Sequence, residues 1–290
     1  RATSAVVGNA SANAVANTHF RAPLTPAGLD DTGRSAGRPL LGWRERHDEP
    51  AWRAHLDIAA APWLADHAVQ GAPVFPATGY AEIFAALGSE VYGDGPIEVT
   101  ALDILQPLSL SGRVDLRTTF ERSTATAMIE SRGATSDGEW SLHARARVRR
   151  DPGGSELMAN ATTDGPSHDI GALYQTLNDR GLSYGPSFRR LRTLSVGDGV
   201  AEFSLMPFDK PDDVDGFALD PRLFDAALHS FAPLLGNGEV SMLPVRIGRL
   251  RIRAPGAVPA SGKIRLLRST PRGAALSLTL FDSEQTLLLK

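Results

Sequence analysis

The chain has 290 residues, 42% of them hydrophobic, with 30 Lys plus Arg against 33 Asp plus Glu and a formal charge of -3. That length can bury a substantial core, the charge balance gives no reason to expect nucleic acid as the principal ligand, and the absence of cysteine excludes disulfides, a thiolate nucleophile and Cys-based zinc sites. No apolar run reaches a membrane span and the N-terminus has no signal-peptide pattern, so a soluble, unexported, cytoplasmic protein with no membrane partner is expected.

Residues 1–37 are rich in Ala, Asn, Ser, Gly and Thr without periodicity and are expected to form a disordered linker. Folded structure is expected from Arg38-Pro39-Leu40-Leu41 onward, in a first lobe over 38–150. Strand-like runs follow at Trp52 to Ile58, Ile97 to Leu102, Val114 to Arg122 and Trp140 to Arg149. In the last, Ala144, Ala146 and Val148 alternate with His143, Arg145, Arg147 and Arg149, the period of a strand with one wet face. Between the early strands, Tyr80, Ile83, Phe84, Leu87 and Val91 keep helical spacing after Pro76, with Thr78 as the expected N-cap.

A Gly/Ser/Asp-rich stretch over 151–167 reads as an inter-lobe linker, and 168–290 as a second lobe of similar make-up. Its strands are expected near Leu191 to Val196, Val200 to Met206, Val245 to Arg253, Lys263 to Arg268, Ala274 to Phe281 and Thr286 to Leu289. Its helix is expected through Phe224, Ala227, Leu228, Phe231 and Leu235, with Asp220 as N-cap and Pro221 in the first turn. Two lobes, each of many strands around one apolar helix, define an α+β architecture.

Three constellations carry chemistry. In WLADHAVQGAPVFP, Gly71, Pro73 and Pro76 break any helix, which places His67 on an irregular loop among Trp63, Val69, Val74 and Phe75. Desolvation lowers a histidine pKa and leaves a neutral base; an imidazole satisfied by a backbone carbonyl is the plain alternative. In DPRLFDAALH, the i, i+4 spacing sets Asp225 and His229 on one side of the second helix. Burial raises the carboxyl pKa, whereas the helix end and a hydrogen bond from His229 favour the anion; an exposed pair of small energetic value is the alternative. In GLSYGPSF, after an amphipathic run from Ile170 to Asn178, the Gly185-Pro186 turn fixes the direction of Tyr184, as either a ligand donor or a core ring. No GxSxG elbow, P-loop, GxGxxG or HExxH is present, and no carboxylate/His set spaces convincingly for a metal.

Together these segments resemble the dehydratase domains of polyketide synthases, relatives of the fatty acid synthase dehydratase. The motif HxxxGxxxxP is met by His67, Gly71 and Pro76, YGPxF by Tyr184, Gly185, Pro186 and Phe188, Dxxx(Q/H) by Asp225 and His229, and the following LP element by Leu243 and Pro244. The resemblance spans Arg38 to the end, with Ala77 standing where many relatives have glycine. It implies a double hotdog fold, two antiparallel sheets each wrapped around a long helix. It implies loss of water from a 3-hydroxyacyl thioester on the phosphopantetheine arm of an acyl carrier protein, with no cofactor in the domain itself. It further implies that His67 is the base, that protonated Asp225 serves the departing hydroxyl and that His229 orients it. Tyr184 would bind the hydroxyl or order the site. Backbone N–H groups around Gly71 and the N-terminal end of the Thr78 helix would polarise the carbonyl. Implied partners are the carrier protein, other domains of the same synthase and a second copy in a homodimer. Arg189, Arg190, Arg192 and the Arg249 to Arg253 strand are candidates to meet an acidic carrier, with a solvated charged face as the alternative. The rival readings are a same-fold enzyme that shifts the double bond or closes an oxygen ring, a product-template domain, and a catalytically silent structural domain.

Overall fold

The computed structural model describes residues 38–45, 49–93, 95–133, 138–153, 165–208, 216–235, 243–270 and 273–290. The expected linker over 1–37 lies outside these, as does most of the one over 151–167.

In chain order the first half gives β1 (Trp43–Arg44), β2 (Ala51–Leu56), β3 (His67–Val69), β4 (Ala72–Pro73), α1 (Ala77–Tyr92), β5 (Ile97–Ile104), β6 (Val114–Glu121), β7 (Thr126–Gly133) and β8 (Ser141–Arg150). The second half gives α2 (Ile170–Asp179), β9 (Leu182–Tyr184), β10 (Leu191–Gly197), β11 (Val200–Leu205), α3 (Pro221–His229), β12 (Arg246–Ile252), β13 (Ser261–Thr270), β14 (Gly273–Phe281) and β15 (Leu287–Leu289). Twelve strands form one sheet in the order β1-β2-β6-β7-β8-β5-β12-β15-β14-β13-β11-β10. Every strand before β12 in that order belongs to the first half of the chain and every strand from β12 on to the second. The halves therefore meet edge to edge, along antiparallel β5 and β12 with Val99 opposite Leu250. Pairing the two inner edges removes rows of unpaired backbone groups that would otherwise face solvent.

Each half curls around a helix, α1 against β5 and β8, α3 against β11 and β13, and the two helices pack on each other. This is the double hotdog arrangement. Helix α1 runs 16 residues, and Tyr80, Ile83, Phe84 and Leu87 are all at most 1% exposed. Its capping residue is Pro76 rather than Thr78, with no side-chain cap. Thr78 lies within the first turn and turns its hydroxyl toward the other half of the chain. Helix α3 begins as expected, with the Asp220 side chain accepting from Arg222 and Leu223 N–H, but ends at His229 after nine residues. Phe231 and Leu235 fall beyond it, and Ala232–Leu235 form a 3-10 turn that prolongs the apolar pattern without prolonging the helix.

The expected alternation in β8 holds for Ala144, Ala146 and Val148, at most 3% exposed. His143 departs from it: a shift of register between Ile129 and Glu130 turns the ring inward, 5% exposed, with Nε2 2.7 Å from the Ser131 hydroxyl. On β12, Leu250 and Ile252 are buried, 3% and 2% exposed, while Arg249 and Arg251 lie on the other face against Glu98 of β5 at 3.4 and 3.2 Å. No helix among the described residues is long and apolar enough to cross a membrane.

Candidate functional site

A second, three-stranded sheet in the order β4-β3-β9 brings distant segments together. His67 follows a 3-10 turn over Pro62–Asp66 and is the first residue of β3, a short strand rather than the irregular loop expected. Gln70 and Gly71 both have positive φ, 52° and 79°, the geometry of a two-residue hairpin turn, which glycine enters without strain. The hairpin returns the chain so that Val74 N–H donates to the His67 carbonyl at 3.0 Å and the Val74 carbonyl stands 2.8 Å from His67 Nδ1. A carbonyl only accepts, so Nδ1 carries a proton, and in the neutral ring Nε2 is the nitrogen with the lone pair. Gly71 is exposed in that turn. Its positive φ shapes the hairpin.

Strand β9 pairs with β3 in a register that sets His67 opposite Tyr184. The loop after β9 is fastened to the first motif, since Asp66 Oδ2 accepts from Ser187 N–H at 2.9 Å and Gly185 N–H donates to the Asp66 carbonyl at 2.7 Å. A Cβ on Gly185 would stand 2.1 Å from Asp66 Oδ1, so the GP turn requires glycine. Pro186 is exposed on that turn and Phe188 is fully buried, its ring 5.4 Å from that of His67.

Asp225 enters from the other half of the chain. His67 Nε2 stands 4.0 Å from Asp225 Oδ2, and both side chains are almost sealed from solvent, at 8% and 7% exposure. His229 Nε2 lies 2.8 Å from the same oxygen, as the i, i+4 spacing implied. Thr78 donates to the Pro221 carbonyl at 2.9 Å and stands 3.5 Å from Asp225 Oδ1. Burial pushes the Asp225 carboxyl upward, whereas the hydrogen bond from His229, the Thr78 hydroxyl and, whenever the rings are protonated, the charges of His229 and His67 pull it down, with a net direction below the usual carboxylate range when those charges are present. The hydrogen bonds favour the anion; the residues alone left the sign open, and a protonated Asp225 is what the family resemblance implied. The ring of Tyr184 packs on that of His229 with centroids 3.9 Å apart, and burial raises its phenol well above the ordinary value.

Pro76 caps α1 and leaves the first-turn N–H groups without a side-chain acceptor. Leu243 and Pro244 precede β12, Leu243 42% exposed, and no described hydrogen bond or ring contact joins them to His67 or Asp225. Arg189 donates to the Tyr184 carbonyl at 2.7 Å and Arg190 to that of Pro207, so these arginines brace the fold, while Arg192 is exposed. Among the described residues no group of three His, Cys, Asp or Glu is placed to hold a metal.

Sequence reasoning misses three contributors. Thr78 reads from the sequence only as a cap. Tyr174 falls inside the amphipathic run from Ile170 to Asn178 and is not singled out by it, yet its hydroxyl stands 3.3 Å from Nδ1 of His229. Glu82, fully buried on α1, accepts from Ala218 and Leu219 N–H at 3.0 and 2.6 Å, directly before the Asp220 cap of α3. The one visible signal is a charged residue inside the apolar run of α1.

Two family models match the chain: "Polyketide synthase dehydratase domain" over residues 38–132 and "Polyketide synthase dehydratase N-terminal domain" over 153–290. Among curated relatives, a phenolphthiocerol/phthiocerol polyketide synthase of Mycobacterium tuberculosis is 31% identical over 238 residues, covering 75% of this chain and 13% of that protein. Polyketide synthase GfsA of Streptomyces halstedii is 32% identical over 252 residues, 79% of this chain and 3% of that protein. The chain thus spans a small part of these relatives. The solved GphF Dehydratase 1 superposes with a TM-score of 0.75 at 23% identity, covering 87% of this chain and 96% of that one. The dehydratase from the CurK module of curacin polyketide synthase does so with 0.73 at 25%, covering 87% and 94%. A histidine-to-phenylalanine and an aspartate-to-asparagine variant of the CurK dehydratase are each described as inactive. With both halves matched by family models and the same fold throughout, this chain belongs to the dehydratase domains of polyketide synthases.

Proposed function

We propose that the domain, built of lobes over 38–150 and 168–290, removes water from a 3-hydroxyacyl thioester on the phosphopantetheine arm of an acyl carrier protein. The product is a 2,3-enoyl thioester. The observation that carries this is the buried approach of His67 Nε2 and Asp225 Oδ2, 4.0 Å apart and supplied by opposite halves of the chain. The loss of activity in the two CurK variants, one at a histidine and one at an aspartate, supports giving the chemistry to such a pair.

His67 Nε2, free because Nδ1 is held by Val74, takes the α-proton as the C–H electron pair forms the alkene. The first-turn N–H groups of α1 meet the negative charge that develops on the thioester oxygen. Asp225, an anion at rest, accepts the hydrogen bond of the substrate hydroxyl and stabilises the new imidazolium. The proton passes from His67 through Asp225 to the hydroxyl as the C–O bond breaks. One proton leaves carbon, one leaves with the hydroxyl as water, and both side chains return to their starting forms. The partners are the carrier protein and neighbouring synthase domains, including a second copy of the domain, in the cytoplasm.

The test presents a 3-hydroxyacyl pantetheine or carrier-protein thioester and follows the mass loss of one water. His67→Ala and Asp225→Asn are each expected to lower kcat at least ~100-fold. Turnover by both variants at the wild-type rate refutes the assignment of roles.

A further inference from the structure

Tyr174 lies outside every motif that marks the family, on α2, with its ring 5% exposed. Its hydroxyl stands 3.3 Å from His229 Nδ1 and 3.5 Å from the Phe188 carbonyl. A phenol has one proton to give and two lone pairs. That proton has two possible acceptors, the Phe188 carbonyl at 3.5 Å and an unprotonated His229 Nδ1 at 3.3 Å, and Nδ1 is the nearer.

The state of His229 follows from its two sides. Nε2 faces a carboxylate at 2.8 Å, and a carboxylate only accepts, so Nε2 carries a proton. Whether the ring is neutral or an imidazolium then depends on Nδ1, where Tyr174 is the partner. The other charged or titratable groups around the ring are Asp225 on α3 and the Tyr184 ring from β9. Beyond Asp225 lies His67 from β3, and beyond Tyr174 lies Arg189, whose guanidinium stands 5.3 Å over the phenol ring. The distinction bears on turnover. A neutral donor leaves Asp225 able to take a proton and release it, whereas a buried cation at that distance holds the carboxylate too firmly to be protonated.

We propose that Tyr174 is a positioning residue for the dehydration: by donating to Nδ1 it keeps His229 in the neutral Nε2–H form, so that Asp225 has a hydrogen-bond donor beside it rather than a cation. The proposal rests on the proton-transfer role given to Asp225. It also gives the DAALH variant of the motif a requirement that a glutamine in the same place would not have, because an amide does not take up a second proton.

Tyr174→Phe keeps the ring, and with it the packing against His229 and Tyr184, and removes only the hydroxyl. The experiment records the imidazole nitrogen signals of the 15N-histidine-labelled domain between pH 5.5 and 8, in wild type and in Tyr174→Phe, beside kcat and KM for a 3-hydroxyacyl pantetheine thioester. The expected wild-type signals are those of a neutral Nε2–H ring. In Tyr174→Phe the ring takes up a proton at higher pH than in wild type, and the acid limb of kcat moves up with it. At neutral pH kcat falls about tenfold while KM stays within about twofold. In the His229→Gln background the same substitution changes kcat by less than about twofold. A wild-type ring protonated at Nδ1, or Tyr174→Phe signals and kcat equal to wild type, overturns the proposal. If no thioester is turned over by wild type, the proposed function fails, and the nitrogen signals still decide whether Tyr174 sets the state of His229.

Discussion

Glu82 offers a quantitative test of how the two halves are fastened. Its carboxyl is fully buried, touched by Ala218 and Leu219 N–H, and burial pushes its pKa from 4.5 up to about 8, with those two hydrogen bonds and the charge of Arg38 pulling the other way. Because the folded pKa exceeds the unfolded one, the folded state binds more protons through the window from 4.5 to about 8. Stability owed to this group is whole below pH 4.5 and falls as pH rises, by about 1.4 kcal/mol per pH unit, to a total near ~5 kcal/mol above the folded pKa. Glu82→Gln removes the titration but sets an amide N–H against one backbone N–H, a cost of about 1–3 kcal/mol that does not vary with pH. With a cost of about 2 kcal/mol, wild type is the more stable at pH 5, the two cross near pH 6, and the variant leads by roughly 3 kcal/mol at pH 8.5. Urea unfolding followed by the fluorescence of the 4 tryptophans, at half-unit steps of pH, measures the difference directly. A difference that stays flat across the window, or that moves in favour of wild type as pH rises, refutes the assignment of a protonated Glu82.

Gly185→Ala is expected to destabilise the domain by about 2 kcal/mol or more, because its Cβ would meet Asp66 Oδ1 at 2.1 Å, and the shift is read as a lower urea midpoint. Thr78→Val removes the hydroxyl that ties α1 to the Pro221 carbonyl and faces Asp225, and is expected to lower kcat about tenfold with less effect on KM, measured on the same thioester. Trp140→Ala removes the ring under the guanidinium groups of Arg53, Arg117 and Arg132, at 4.4, 4.7 and 4.7 Å, and should cost about 1–3 kcal/mol of stability while leaving kcat unchanged.

The local patterns that sequence displays well are those in which one residue type repeats on one face. The strand over Val114–Glu121 alternates plainly and ends one residue before the expected Arg122, and that over Ser261–Thr270 runs two residues beyond each end of the expected Lys263 to Arg268. Strand β7 is hidden because its inward residues include Ala127 and Ser131, too small or too polar to mark a period of two beside Thr126, Met128 and Glu130. The His67, Tyr184 and Asp225 assembly is legible through motif spacing, whereas its fastening is not. Thr78 reaches a carbonyl 143 residues away, and Tyr174 a ring 55 residues away. Each such side chain has a sufficient local explanation, a cap for one and a place in an amphipathic run for the other, and nothing local distinguishes the distant partner.

The same fastening explains why the site can be built at a junction. Two halves joined only along β5 and β12 would pivot about one strand pair and leave the separation of His67 from Asp225 undefined. Three cross-connections remove that freedom: the β3–β9 pairing sets His67 beside Tyr184, the Thr78 hydroxyl holds the Pro221 carbonyl, and Glu82 holds Ala218 and Leu219. The last two both begin on α1 and end on the segment that starts α3, so they fix the first turns of the two helices against each other. A carboxylate and an imidazole that must exchange a proton need that separation kept to a fraction of an ångström, which a rigid pair of helices provides and a hinge does not. Loosening either contact should therefore lower kcat before it unfolds the sheet, because the reacting groups lose their register while the edge-to-edge strand pairing remains intact.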